Sequence, residues 1–252
     1  MLLHFRQLGQ GEPLVLLHGL FGQADNWLGV APKLAETFHV FIPDLRNHGH
    51  SPHDPVMDYS LMAADVAGFF GVHNIDQAFV VGHSMGGKVA MRLALDFPNR
   101  VKKLVVVDMA PRAYAPSHEP IFKALLALDL PAFQTRTQLE DALAKDIPSL
   151  NLRRFLLKNL GRDANGQFIW KMNLGGIQAN YGRLCAAVDS GVPFGGPTLF
   201  LRGGWSDYVV PTDEPDIRRL FPAAEIQTIA ASSHWVHADA PEEFVKRVLG
   251  FL

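Results

Sequence analysis

At 252 residues the chain is long enough for one or two domains with a sizeable core, and 48% hydrophobic against 19% charged residues excludes disorder as its main state. Lys and Arg number 23 against 25 Asp and Glu, with no block of one sign, which argues against a nucleic-acid groove or a polybasic membrane patch. The lone Cys185 excludes an intramolecular disulfide, His4 and Arg6 interrupt the N-terminal apolar stretch, and no run approaches the ~18 apolar residues of a membrane span, so a cytoplasmic protein is expected.

In chain order, strands are predicted at 2–8, 13–18, 39–43, 77–82, 103–108, 197–202 and 225–229. The first two, separated by Gly9-Gln10-Gly11-Glu12, are expected to form an antiparallel hairpin. Several of the others are unbroken apolar blocks such as Leu104-Val105-Val106-Val107, the pattern of central strands covered on both faces. Helical periodicity places helices at 62–70, 88–97 and 242–251, and the alternation predicts a mostly parallel sheet flanked by helices. Between about 111 and 192 the strand rhythm stops and Leu- and Ala-rich stretches such as 121–128 and 139–144 follow one another. The expectation is a core of residues 1–110 and 193–252 with an all-helical lid, 111–192, inserted after the strand ending at Asp108.

Gly82-His83-Ser84-Met85-Gly86 falls directly after a predicted strand and directly before a helix. A serine there sits on a sharp elbow at a helix N-terminus, where the dipole favours negative charge on a reacting oxygen. A serine hydroxyl needs a base, and the base needs a carboxylate. Ser232-Ser233-His234-Trp235-Val236-His237, between the last strand and the last helix, offers His234, with His237 a distant second. Two acids compete for the third place. Asp108 ends one strand and Asp207 follows another, both at the same sheet edge. His18-Gly19-Leu20-Phe21-Gly22, after the second strand, is suited to an oxyanion hole, with backbone N–H groups of Leu20 and Met85 as donors and Phe21 as a substitute for Leu20. Phe133, Phe155, Trp170 and Met172 are the candidates for an acyl pocket under the lid.

These residues resemble the α/β-hydrolases, and within them the small bacterial acyl esterases related to mitochondrial abhydrolase-type proteins. The likeness spans essentially the whole chain. It rests on 18–22, on Asp44-Leu45-Arg46-Asn47-His48-Gly49-His50-Ser51, on His83-Ser84-Met85-Gly86-Gly87-Lys88, on Val107-Asp108-Met109-Ala110-Pro111 and on 233–238. The resemblance implies a sheet of eight strands or slightly fewer, a helical lid, no metal or other cofactor, and hydrolysis of carboxylic esters and thioesters. That branch places its acid at the position of Asp108 and the wider family at that of Asp207, which favours Asp108 without closing the choice. Two departures are visible: the N-terminal region is short by a strand, and Ser232 stands where glycine is usual before the histidine loop.

Other readings fare worse. Gly82 to Val89 is one residue short of a phosphate-binding loop, and Val89 lacks the hydroxyl that a magnesium ion needs. His48, His50 and His53 have a spacing like that of a metallo-hydrolase, but Pro52 stands where an acid is required. A non-hydrolytic small-molecule receptor, or a C–C bond hydrolase or perhydrolase on the same triad, are the alternatives that survive. The residues point to a serine hydrolase of short to medium acyl esters, acyl-CoA thioesters included, with a small-molecule substrate, no nucleic-acid or membrane partner and no cofactor.

Overall fold

The computed structural model describes all 252 residues. Its strands are β1 (Phe5–Leu8), β2 (Glu12–Leu17), β3 (Phe38–Pro43), β4 (Ala78–His83), β5 (Val101–Val107), β6 (Leu160–Arg162), β7 (Phe168–Trp170), β8 (Thr198–Gly203) and β9 (Ala224–Ile229). Helices are α1 (Ala31–Leu34), α2 (Tyr59–Val72), α3 (Met85–Asp96), α4 (Glu119–Leu126), α5 (Arg136–Ala142), α6 (Leu150–Leu157), α7 (Leu174–Ala179), α8 (Tyr181–Cys185), α9 (Glu214–Leu220), α10 (Val236–Asp239) and α11 (Pro241–Phe251). Seven strands form one sheet in the order β1-β3-β2-β4-β5-β8-β9, parallel throughout except for β1.

The apolar strand blocks divide their side chains between two cores, as the two-residue period of a strand requires. Leu14, Leu16, Val105 and Val107 pack with Leu34 of α1 and Phe244 and Val248 of α11. Their neighbours Val15, Leu17, Leu104 and Val106 face the other way, against Phe69 of α2 and Val89 and Leu93 of α3. Each fully buried side chain of this size contributes about 1.5–3 kcal/mol, so the sheet edge is set on a rigid double-sided support. No helix is long and apolar enough to cross a membrane.

Two expectations need correction. The first two strands do not form a hairpin: β1 pairs antiparallel with β3, which lies between β1 and β2. Gly9 and Gly11 make this possible, because both adopt positive φ (72° and 116°) where the chain steps across the start of β3, and a Cβ at either would overlap backbone of Ala35, Thr37 or Phe38. The insertion is also not all helical. Alongside α4–α8 it carries the β6–β7 hairpin, closed by Asp163-Ala164-Asn165-Gly166-Gln167. There the Asp163 carboxylate accepts the N–H groups of Asn165 and Gln167, both at 2.9 Å, and Gly166 takes φ 79°. Asn-Gly between short apolar runs is a hairpin signal that the helical reading of this region passed over.

The insertion leaves the sheet after β5 and returns before β8. It is fastened to the loops of the sheet edge by polar contacts: Asn159 Nδ2 donates to the Phe21 carbonyl (2.7 Å), Lys171 Nζ to Gln23 Oε1 (2.7 Å), Asn173 N to the Asn47 carbonyl (2.8 Å) and Asn180 Nδ2 to the Pro55 carbonyl (2.9 Å).

Candidate active site

At the carboxyl edge the strands end as a staircase. The backbone N–H of Ser84, just past β4, donates to the Val107 carbonyl (3.0 Å), and that of Asp108, just past β5, donates to the Leu201 carbonyl (2.9 Å). Both residues then turn sharply into positive φ, 55° at Ser84 and 49° at Asp108. Non-glycine residues held there cost roughly 1–3 kcal/mol, and the surrounding sheet supplies the constraint that holds them. At Ser84 the turn is tight enough that a Cβ on Gly82 would overlap the Gly86 carbonyl, and one on Gly86 the carbonyls of Leu17 and His18. The two glycines are therefore steric requirements of the elbow.

The elbow, the loop after β5 and the loop after β9 converge. His234 Nε2 lies 2.9 Å from Ser84 Oγ, and His234 Nδ1 lies 2.7 Å from Asp108 Oδ2. The carboxylate of Asp108 is wholly buried, whereas the His234 side chain is 19% exposed. Asp108 Oδ1 accepts the Gly203 N–H at 2.9 Å, and Oδ2 also accepts the Ser206 hydroxyl, so the carboxylate is gripped from the loop after β8. The ring of Tyr208 stacks on His234 with centroids 3.8 Å apart, and the His234 carbonyl accepts His83 Nε2–H at 2.8 Å. Such a chain can pass the serine proton to an imidazole whose positive charge is met by a fixed anion. Ser206 and Tyr208 were not anticipated from sequence.

Of the two competing acids, Asp108 meets the imidazole. Asp207 is exposed at the cavity rim, and its backbone carbonyl accepts a guanidinium N–H of Arg112 (3.3 Å). His237 is no alternative base: it is buried against Trp27 and His83, and burial lowers it to about 4. The Ser232 hydroxyl, where glycine is usual, turns inward to the Ile229 carbonyl at 3.0 Å.

In the loop 18–22 the amides of Leu20 and Phe21 differ. The Leu20 N–H has no partner within the protein, and Met85 opens α3, where a first-turn N–H has no acceptor in its own helix. Leu20, Met85 and Ser84 border one cavity. The Phe21 N–H cannot stand in for Leu20, because it donates to His48 Nε2 at 3.2 Å. His48 in turn donates from Nδ1 to the Arg46 carbonyl (2.9 Å), an arrangement that requires a neutral ring, and burial accordingly lowers it to about 3. His18 is neutral by the same logic, accepting the Leu45 N–H at Nε2 and bonding the Gly19 carbonyl through Nδ1, both at 2.9 Å. The spacing of His48, His50 and His53 thus serves other ends. His53 Nε2 meets the Lys171 carbonyl at 3.0 Å, and the His50 ring packs on His4.

The cavity beside Ser84 has a volume of about 280 Å³. None of Phe133, Phe155, Trp170 or Met172 borders it, which corrects the expected acyl pocket. Phe155 packs edge-on against Trp235, Trp170 stands opposite Leu160 in the hairpin, Met172 is buried and Phe133 leans on the core, so their apolar surface holds the insertion together. The walls come instead from the chain's four tyrosines, Tyr59, Tyr114, Tyr181 and Tyr208, with Met109, Leu184, Lys88 and His118 among their neighbours.

Residues 12–241 match the family model described as alpha/beta hydrolase fold. The chain belongs to the α/β-hydrolase family. This α/β-hydrolase is 40% identical over 252 residues to the sn-1-specific diacylglycerol lipase ABHD11 of Danio rerio, covering 97% of this chain and 79% of that protein. It is 35% identical to Esterase YbfF of Escherichia coli K12, covering 96% and 93%. A solved marine microorganism esterase superposes with a TM-score of 0.97 at 40% identity, covering 100% and 99%. The resemblance read from the motifs is borne out, and the α/β-hydrolase is an enzyme of the hydrolase class. Its sheet has seven strands, one of the slightly reduced forms that the resemblance allowed.

Proposed function

We propose that this hydrolase cleaves carboxylic esters of short to medium acyl chains through an acyl-enzyme formed on Ser84. Ser84 Oγ attacks the acyl carbon as His234 Nε2 takes its proton, and the imidazolium is held by Asp108. The N–H groups of Leu20 and Met85 receive the oxyanion, the C–O bond breaks, and the alcohol leaves with the proton from His234. Water then enters, gives its proton to His234 and releases the acid, with the proton returned to Ser84. The observation that carries this reading is the unbroken chain of contacts from Ser84 Oγ through His234 to the buried Asp108, beside a cavity shared with Leu20 and Met85. The esterase and lipase names of the relatives support an ester substrate.

In this reading the insertion 111–192 is the lid, and it roofs the cavity with Tyr114, His118 and Tyr181. Thioesters, acyl-CoA among them, suit the same chemistry. Residues 111–190 hold ten Lys or Arg against seven Asp or Glu, a mild excess that does not repel a phosphate-bearing thiol. The test is hydrolysis of p-nitrophenyl esters from acetate to dodecanoate, with butyryl-CoA in parallel, by the natural chain and by Ser84→Ala. Serine-dependent rates highest at short to medium chains uphold the proposal, and equal rates for the two proteins overturn it. Indifference to the CoA moiety removes the thioester extension.

A further inference from the structure

We propose that the cavity wall formed by Lys88 and His118 is a subsite for a carboxylate, so that Ser84 acts on acyl groups ending in a second acid function. The inference rests on the hydrolase reading above. Lys88 lies one helical turn after Ser84, and its side chain is fully buried in the wall of the cavity that holds the serine. Its ammonium donates to the carbonyls of Arg112 (2.8 Å) and Ala186 (2.5 Å) and lies over the rings of Tyr114 (4.8 Å) and Tyr59 (5.5 Å). An ammonium has three N–H donors, and one is left over. No Asp or Glu pairs with it. The contrast within the same molecule is direct: Arg46, also buried, is paired with Asp65 at 2.6 Å and with Asp54 at 3.8 Å. A buried charge without a counter-ion is costly, and an anionic ligand removes that cost. Burial lowers the Lys88 ammonium only to about 8, which leaves it mostly charged at neutral pH.

His118 supplies a second donor, and its tautomer follows from its neighbours. Tyr181 Oη accepts the N–H groups of Ser117 and His118, each at 3.0 Å, so its single proton goes to His118 Nδ1 at 2.7 Å. Nε2 must then carry the ring proton, and it has no partner in the protein while the side chain lines the cavity. The remaining charges in the wall leave room for an anion: Arg112 is paired with Asp213 at 2.9 Å, and Asp207 is exposed at the rim. The ammonium lies over Tyr114, Tyr114 stacks on Tyr208 at 5.4 Å and Tyr208 stacks on His234, so a row of rings runs along the wall from the ammonium to the imidazole. The carboxylate is therefore held at the far end of the acyl chain from the scissile carbonyl, as in the monoester of a dicarboxylic acid.

The test compares monoethyl succinate, glutarate and adipate with ethyl butyrate, valerate and hexanoate of matched length, followed by proton release. At least one monoester is expected to exceed its neutral partner in kcat/KM, and Lys88→Met and His118→Phe each to lower that ratio about ten- to hundredfold, the range for a hydrogen bond to a charged group. Should Lys88→Met fail to fold, His118→Phe and inhibition of the natural chain carry the test: free glutarate or adipate must inhibit ethyl butyrate hydrolysis more strongly than the matching diamide. The subsite is overturned if every monoester is the poorer substrate and the diacids inhibit no better than the diamides, or if a folded Lys88→Met leaves the ratio unchanged. If no ester is hydrolysed, it is the serine hydrolase reading that fails. Calorimetric titration with adipate then decides the subsite alone: binding weakened by Lys88→Met upholds it, and absence of binding overturns it.

Discussion

The sheet edge and the insertion meet at one cavity but are built on opposite principles. Ser84, Asp108 and His234 stand on turns whose backbone is bonded into or packed on neighbouring strands, and Gly203 N–H and the Ser206 hydroxyl lock the carboxylate a second time. The insertion has no helix longer than eight residues, well below the ~12–15 at which an isolated helix becomes marginally stable, and it depends on packing and side-chain fasteners for its shape. Positions at strand ends hold the Ser84, His234 and Asp108 side chains in contact. Positions fixed by side chains are where the wall around a substrate can vary.

Substitutions in the two regions should differ in the size of their effects. The largest effect is expected at the elbow, where Ser84→Ala should abolish ester turnover, a loss on the order of 10⁴-fold or more in kcat with an unchanged melting temperature. Next come the two acids: Asp108→Asn should lower kcat on the order of 10⁴-fold by presenting the wrong partner to His234 Nδ1, whereas Asp207→Asn should stay within about fivefold. Equal losses at the two would mean that the buried position has no special role. A smaller effect is expected at a fastener, Asn159→Ala, which frees the Phe21 carbonyl; denaturant unfolding should show a loss of about 1–3 kcal/mol together with a lower kcat/KM.

Acid should act on the sheet side of the comparison. His237 and His48 are lowered by burial to about 4 and about 3, so between those values and the ordinary 6.5 the unfolded chain binds more protons than the folded one. Stability should therefore fall as pH drops through about 6.5 toward 4, seen as a falling melting temperature, and His237→Phe should flatten that slope. The smallest shift is expected on the wall: as pH rises through about 8 the Lys88 ammonium loses its charge, and the preference for a diacid monoester over its neutral partner should decline with it.

Strand positions were legible because β-branched blocks buried on both faces leave few alternatives, and each predicted strand that lies in the sheet interior falls within two residues of its place. The elbow was legible because glycine at 82 and 86 has a steric cause. The choice of acid was not, since Asp108 and Asp207 both follow strands at the same edge, and only the reach to His234 Nδ1 separates them. The wall was misread because large apolar residues in the insertion were assigned to substrate when they are needed for its own packing. A better signal was the rarity of tyrosine: an aromatic ring with a polar tip suits a cavity that is apolar in body and hydrogen-bonded at its margin, and all four of the chain's tyrosines are there. The Phe21 amide shows a different limit, because its engagement by His48 depends on a loop whose path no local pattern specifies.

The route of the chain through the insertion carries a consequence for any attempt to exchange it. β5 and β8 are parallel neighbours, so the chain leaving one at the reactive edge must travel back to the opposite edge before entering the other. Such a return needs about a dozen residues, and here it is made by the stretch that ends the insertion: the Val188 N–H donates to the Pro111 carbonyl at 2.8 Å, so the two feet of the insertion stand together, and the chain then runs back past Arg92 of α3, which donates to the Asp189 carbonyl (2.8 Å), to Pro197. Most of the insertion thus leaves from and comes back to one place on the edge, and the return to β8 is the separate stretch that follows it. Joining Asp108 directly to Pro197 removes that stretch and cannot close, whereas an exchange made between Pro111 and Val188 leaves the way back in place.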